Sequence, residues 1–322
     1  MDYINYVKQS PMAGVTGMTG GVGGLNFHHT AAGGSDDWTG SRGVFGGGSN
    51  AGNNIDYITI QSTGNAQDFG DLNVAGRAGP ANASNGSRGL MVGGTDPSSS
   101  KNSIDYVTIG TLGNAADFGD PQIGRSNAQT NGCATSGNRG IWSGGWPASD
   151  MIEYVDIGTL GNSSDFGNLA HGGYPQSDIA LNCDGTKGYF CGGYPNTNVV
   201  QYVTISTTGN TTDHMDLTVA RYGLAGNSSD TRATQAGGRN QGIDVIDYFT
   251  MASTSNATDF GDLTTGFGYC SSAGDKSRGT IGAGMGGAGK TINYYTIDTT
   301  SNAGTFGQLR DATYQPGGVS GT

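Results

Sequence analysis

Charge is scarce in this chain. Of 322 residues 13% are charged, and 15 Lys and Arg face 26 Asp and Glu, a formal net charge of −11. Binding to a phosphate backbone needs basic side chains that displace counterions, so the charge balance argues against nonspecific nucleic-acid binding. No run of about 18 apolar residues occurs, so membrane insertion is not expected. The opening stretch Met1-Asp2-Tyr3-Ile4-Asn5-Tyr6-Val7 lacks the basic segment and apolar run of a secretory signal. Proline is rare at 8 residues and Gly does not recur every third position, which excludes collagen. The four cysteines (Cys133, Cys183, Cys191, Cys270) have no CxxC spacing, so no zinc site is expected. Cys183 and Cys191 flank an Asp-Gly turn, but pairing across Asp184 to Lys187 sets Cys183 opposite Gly188. Reduced, buried thiols are therefore expected rather than a disulfide. Four histidines are too few for an enzyme built on several imidazoles.

Glycine, by contrast, is abundant: 61 residues, about a fifth of the chain. Each costs about 1 kcal/mol in a helix interior relative to Ala, so a long-helix protein is excluded, leaving a turn-rich all-β chain or a disordered one. The glycines follow a repeat. The phrase Ile104-Asp105-Tyr106-Val107-Thr108-Ile109 recurs six times with variations, with tyrosines at 57, 106, 154, 202, 248 and 294, separated by 49, 48, 48, 46 and 46 residues. Twelve residues after each tyrosine comes an aromatic: Phe69, Phe118, Phe166, His214, Phe260 and Phe306. Around it the sequence reads Gly-Asn-Ala-x-Asp-Phe-Gly-Asp-Leu. Ahead of each tyrosine stand a basic residue, a short apolar run and a Gly pair, as in Arg88-Gly-Leu-Met-Val-Gly-Gly94. Asn85-Gly86-Ser87 and Asp184-Gly185-Thr186 supply hairpin turns.

Each unit thus reads as four short strands: a after the Asp-Leu phrase, b before Gly-Gly, c with the tyrosine, d with the Phe. Strand b is apolar on both faces (Leu90, Met91, Val92), which requires a sheet covered on both sides. Similar sheets flanking one another around an axis meet that requirement, so the expected fold is an all-β, six-bladed β-propeller of four-stranded blades. Residues 25–311 carry the six units. Residues 1–24, which contain a strand-c-like phrase, are expected as an arm or as a ring-closing segment of a partial seventh blade, and 312–322 as a C-terminal tail.

The order apolar run, Gly-Gly, variable loop, Tyr strand, aromatic and arginine (Leu217-Thr218-Val219-Ala220-Arg221) resembles the kelch repeat, with Phe or His where kelch repeats usually have Trp. The Asn-Ala-x-Asp-Phe-Gly-Asp-Leu phrase resembles repeat proteins of marine bacteriophages, notably cyanophage virion and tail-fibre proteins. That resemblance implies a noncatalytic structural or adhesion component of a virion (tail, tail fibre or capsid decoration), made in the host cytoplasm. Its partners would be other virion proteins or a host-surface glycan or receptor, with homo-oligomerisation open. A kelch-type intracellular interaction scaffold is the alternative, and a carbohydrate-active propeller enzyme a lesser one.

No catalytic residues, metal site or cofactor are expected. Asp-Phe-Gly copies the kinase magnesium motif by letters only, without a catalytic loop or strand lysine. Gly282-Ala-Gly284-Met-Gly-Gly287 matches a dinucleotide fingerprint but falls at the Gly-Gly position of the sixth unit, with no helix after it. Carboxylate pairs such as Asp68/Asp71, Asp117/Asp120, Asp213/Asp216 and Asp259/Asp262 could offer oxygens to Ca²⁺, yet each unit has only two acids. One Asp on local amides and another on the repeated Arg is the expected use. His214 is expected to pack in place of a Phe, and His28-His29 with Asp36, Asp37 and Trp38 to lie in a solvated loop. The sequons, Asn162, Asn210 and Asn256 among them, follow from Asn, Ser and Thr abundance. Recognition is expected in the b–c loops, where the units disagree in length. Their candidate binding residues are Trp146, Pro147, Tyr194, Pro195, Arg239 and Asn240.

Overall fold

The recurring tyrosine phrases form the third strand of six antiparallel sheets. The computed structural model of the protein describes residues 41–49, 52–95, 99–124, 130–131, 134–145, 149–170, 177–239, 243–285 and 289–322. From the innermost strand outward, the first sheet runs β25 (Gly317–Gly321), β1 (Arg42–Gly46), β2 (Asn54–Thr59), β3 (Gln67–Asp71). The second runs β4 (Ala81–Ser84), β5 (Arg88–Val92), β6 (Ile104–Thr108), β7 (Ala116–Gly119). The third is β9 (Ala134–Ser136), β10 (Arg139–Ser143), β11 (Met151–Asp156), β12 (Ser164–Asn168). The fourth is β13 (Ile179–Cys183), β14 (Lys187–Cys191), β15 (Thr197–Thr204), β16 (Thr212–Arg221), with the two-residue β8 (Thr130–Asn131) parallel to β13. The fifth is β17 (Ala225–Ser228), β18 (Arg232–Ala236), β19 (Val245–Thr250), β20 (Thr258–Asp262). The sixth is β21 (Ser271–Gly274), β22 (Arg278–Gly282), β23 (Thr291–Thr296), β24 (Gly304–Gln308). Together they form a six-bladed β-propeller, as the repeat predicts.

Burial sorts the strands radially. The innermost β4, β13, β17, β21 and β25 are buried along their whole length, whereas β7 exposes half of its residues and β12 most. The apolar core therefore lies between blades rather than at the axis. Leu90, Val92, Ile104 and Phe118 of the second blade pack on Trp142, Val155 and Ile157 of the third. Phe45, Ile58 and Ile60 of the first pack on Ile292 and Phe306 of the sixth. Each such side chain contributes roughly 1.5–3 kcal/mol on burial. Most residues of these five innermost strands are Gly, Ala, Ser and Asn, with Ile179, Leu181, Cys183 and Val319 as exceptions, and the small polar ones let neighbouring strands bond side chain to backbone. Ser84 Oγ donates to Ser320 O (2.8 Å), Ser320 Oγ to Gly274 O (2.6 Å), Ser272 Oγ to Gly226 O (2.7 Å) and Asn182 Nδ2 to Asn227 O (2.8 Å).

Ring closure corrects one expectation. Residues 312–322 do not trail as a tail, because β25 is the innermost strand of the first blade, paired Val44↔Val319 and Arg42↔Gly321. The sequence Gly317-Gly-Val-Ser-Gly321 has too little hydrophobic pattern to read as a strand, and its partner strand lies at the far end of the chain. The last strand thus completes the first blade and removes an open edge at the seam. Residues 1–24, the other candidate for closure, lie outside the described residues. Hairpin register bears out the cysteine reading: Cys183 stands opposite Gly188 and Cys191 opposite Ala180, and both side chains are buried.

Candidate functional site

Most of the polar side chains the repeat conserves within itself are occupied in docking one blade on the next. In each c–d turn the Asn side-chain oxygen accepts a backbone N–H from the outermost strand of the preceding blade. Asp71 N donates to Asn114 Oδ1 (3.0 Å), Asp120 N to Asn162 (2.9 Å), Asn168 N to Asn210 (3.0 Å), Asp216 N to Asn256 (3.1 Å), Asp262 N to Asn302 (3.0 Å) and Gln308 N to Asn65 (3.1 Å). Sequon residues Asn162, Asn210 and Asn256 are thereby committed to the fold. The basic residue of strand b stacks on its own blade's tyrosine, as Arg88 does on Tyr106 (4.6 Å) and Arg278 on Tyr294 (4.8 Å). It also donates to the end of the next blade's strand c: Arg42 Nη1 to Ile109 O (2.7 Å), Arg88 Nη1 to Ile157 O (2.7 Å) and Arg278 Nη1 to Ile60 O (3.1 Å), the last spanning the seam.

The strand-c acids have a related task. Asp105 Oδ2 accepts from Asn73 N (2.9 Å) and Val74 N (3.1 Å), and Asp105 Oδ1 pairs with the buried Arg77 at 3.1 Å. Asp247 pairs with Arg221 at 2.9 Å, both fully buried, and accepts from Thr218. Burial raises both carboxyls above the ordinary carboxylate value, and the attraction of the paired guanidinium opposes it. Elsewhere amides do the same work without charge: Ala170 N donates to Gln201 Oε1 (3.0 Å), and Thr264 N to Asn293 Oδ1 (2.9 Å). The expectation for the Asp-x-x-Asp pairs needs revision, because the buried arginines face strand-c acids instead. Asp165, which has Asn168 where the pairs have a second acid, does accept a local amide, from Gly167 (3.1 Å), and the exposed Asp68 meets Arg310 (2.8 Å). Among the described residues no group of three or more His, Cys, Asp and Glu could hold a metal ion. His214 packs among Tyr189 (5.3 Å), Tyr202 (5.3 Å) and Phe249 (6.4 Å), and burial, then Lys187, lowers its pKa.

Side chains that the repeat does not share gather at one mouth of the axis. Just ahead of the innermost strands, Asp178, Gly223, Tyr269, Gln315 and Gly79 all adopt left-handed φ between 56° and 66°. Their backbones form a collar: Gly223 N donates to Asp178 O (2.8 Å), Tyr269 N to Gly223 O (2.7 Å), Gln315 N to Tyr269 O (2.9 Å) and Gly79 N to Gln315 O (2.8 Å). Glycine suits such positions, yet three of these five are Asp, Tyr and Gln. Beside the collar Tyr194 packs edge-on to Tyr222 (5.2 Å), Tyr222 to Tyr269 (5.9 Å), and the Arg239 guanidinium lies 5.3 Å from the Tyr269 ring centre. Tyr194 is 54% exposed, whereas Asp178 is only 4% exposed. Burial pushes the Asp178 carboxyl up to about 7, against a hydrogen bond from Ser177 and the charge of Arg239. The Tyr269 hydroxyl rises to about 12, mainly by burial and then by the Asp178 charge.

Of the six residues expected to bind, Tyr194, Pro195 and Arg239 are described, all three exposed on this mouth. Trp146, Pro147 and Asn240 lie outside the described residues, as do His28 and His29. Tyr194 does not merely cover its own blade, since its ring contact is to Tyr222 in the connector leading to the fifth. Sequence reasoning missed Asp178, Tyr222, Tyr269 and Gln315, which stand in d–a connectors without a shared phrase. One signal was available: the units place Gly79 and Gly223 where others carry Asp178, Tyr269 and Gln315. A rigid ring with unequal loops on a single face is in general an interaction scaffold. No protein-family model matches the chain, and no curated protein matches it in sequence.

Proposed function

We propose that the protein is a noncatalytic structural or adhesion component of a phage virion, in a tail, a tail fibre or a capsid decoration. It binds a protein or a glycan through loops at the collar mouth. The observation that carries the noncatalytic part is how the repeat's reactive side chains are committed. Asn, Arg and strand-c acids are held in blade-to-blade bonds, and the thiols of Cys191 and Cys270 are buried, with burial raising the pKa of both. An acid–base pair or nucleophile would need such groups free and facing a cleft. The phage setting is supported by the resemblance of the Gly-Asn-Ala-x-Asp-Phe-Gly-Asp-Leu phrase to marine phage repeat proteins. Partners in that setting are neighbouring virion proteins or a host-surface receptor.

Mass spectrometry of purified particles tests the reading. The chain is expected in intact virions at a fixed ratio to the major structural proteins, and its absence from washed particles overturns the virion assignment.

A further inference from the structure

Resting on the reading of the chain as a binding propeller, we propose that the collar mouth framed by Asp178, Tyr194, Tyr222, Tyr269 and Arg239 is a saccharide subsite for a neutral pyranose. The starting point is Asp178. Its Oδ2 accepts from Ser177 Oγ at 2.9 Å, but its Oδ1 is buried with no hydrogen-bond partner. Native proteins leave few buried polar atoms unpaired, and a carboxylate oxygen is among the costlier ones to leave so. The carboxyl lies within electrostatic reach of Arg239 and Tyr269, two residues of the aromatic ladder beside the collar.

The composition of the mouth selects the ligand. Asp178 and Arg239 lie within electrostatic reach of each other and differ in sign, so an anion drawn by the arginine meets the acid, an ammonium drawn by the acid meets the arginine, and neither gains the full attraction of one charge. What remains is hydrogen bonding and ring surface. Arg239 offers donors to hydroxyls, Asp178 Oδ1 is an acceptor for a hydroxyl that reaches below the tyrosines, and the exposed Tyr194 offers an aromatic face to the C–H face of a sugar ring. A pyranose supplies both kinds of contact within one small rigid body. The left-handed backbone at Asp178 and Tyr269 sets side chains in the collar, Asp178 buried and Tyr269 half-buried, where the equivalent Gly79 and Gly223 have none.

A printed array of neutral and acidic oligosaccharides, probed with the full-length protein, tests the proposal, followed by calorimetric titration of the best neutral glycan. Asp178→Asn keeps the shape and tolerates left-handed φ, and Tyr194→Ala removes a half-exposed ring. Each is expected to weaken binding about tenfold or more. The Tyr194→Ala melting temperature should match the parent, separating lost binding from lost folding. No neutral glycan bound, a preference for acidic glycans, or neutral binding untouched by both substitutions overturns the subsite. A chain present in virions that binds no neutral glycan sinks the subsite and leaves the virion assignment standing. A glycan-binding chain absent from particles does the reverse.

Discussion

At the residue scale, the strand-c position shows that one geometric task accepts charged and neutral solutions. Asp105 and Asp247 serve it with a buried arginine as counter-charge, Arg77 and Arg221. In the sixth blade Asn293 serves it, and the position equivalent to the arginine is the buried Phe267. The backbone at that position is the same in each case: the second residue of the strand-b turn donates to its carbonyl, Gly193 N to Arg221 O (2.9 Å) and Gly238 N to Phe267 O (3.1 Å). Arg with Asp and Phe with Asn are thus exchangeable pairs. Removing one partner of a buried ion pair leaves the other without a counter-charge, whereas replacing both with groups of fitting shape is often neutral. Asp247→Asn alone is expected to cost about 3 kcal/mol, and Arg221→Phe with Asp247→Asn to recover most of it. Urea unfolding of the singles and the double forms the cycle; additive losses would show that the two residues do not work as a pair.

At the scale of strands and turns, glycine is fixed by what approaches it. Gly167 in the Phe-Gly step has φ +149°, and a Cβ there would collide with the Gly209 carbonyl of the next blade's turn. Gly137, in a hairpin of the same blade, has φ +58° and open space around it. Ala at Gly137 should therefore cost about 1 kcal/mol for the left-handed backbone alone, while Ala at Gly167 also pushes away the turn whose Asn210 seals the outer strand. Gly167→Ala is expected to lose clearly more stability in a thermal melt than Gly137→Ala, and equal losses would remove the close-approach explanation. The same contrast explains what was legible beforehand. Strand identity, blade number and the Cys183–Gly188 register follow from residues within one unit, so periodicity and turn chemistry exposed them. The use of Asn114 or Arg88 did not, because their partners sit in the neighbouring unit and nothing local distinguishes a clasp from a solvated side chain. Asp178 and Tyr269 were hidden differently, in connectors whose lengths and residues vary between units.

At the scale of the whole molecule, the ring is held by contacts that repeat around it and by one strand that does not. Every blade docks on the next through the Asn turn, and that pattern crosses the seam as Gln308 N to Asn65 Oδ1. The seam carries an additional element in β25, which comes from the far end of the chain and fills the innermost place of the first blade. β25 also ties the first blade to both neighbours, since Ser84 Oγ donates to Ser320 O, Ser320 Oγ to Gly274 O, and Thr322 N to Gly86 O (2.7 Å). Cutting the chain after Pro316 would leave β1 with an unpaired edge facing the axis and strip hydrogen-bond partners from β4 and β21. Unpaired edges recruit other chains, so the product should melt at lower temperature and enter soluble aggregates in size-exclusion chromatography. If β25 by itself closes the ring, removing residues 1–40 leaves the melting temperature and monomer fraction nearly unchanged. The two truncations decide how the ring closes. If loss of 1–40 proved as damaging as loss of 317–322, closure would depend on the N-terminal segment as well as on β25.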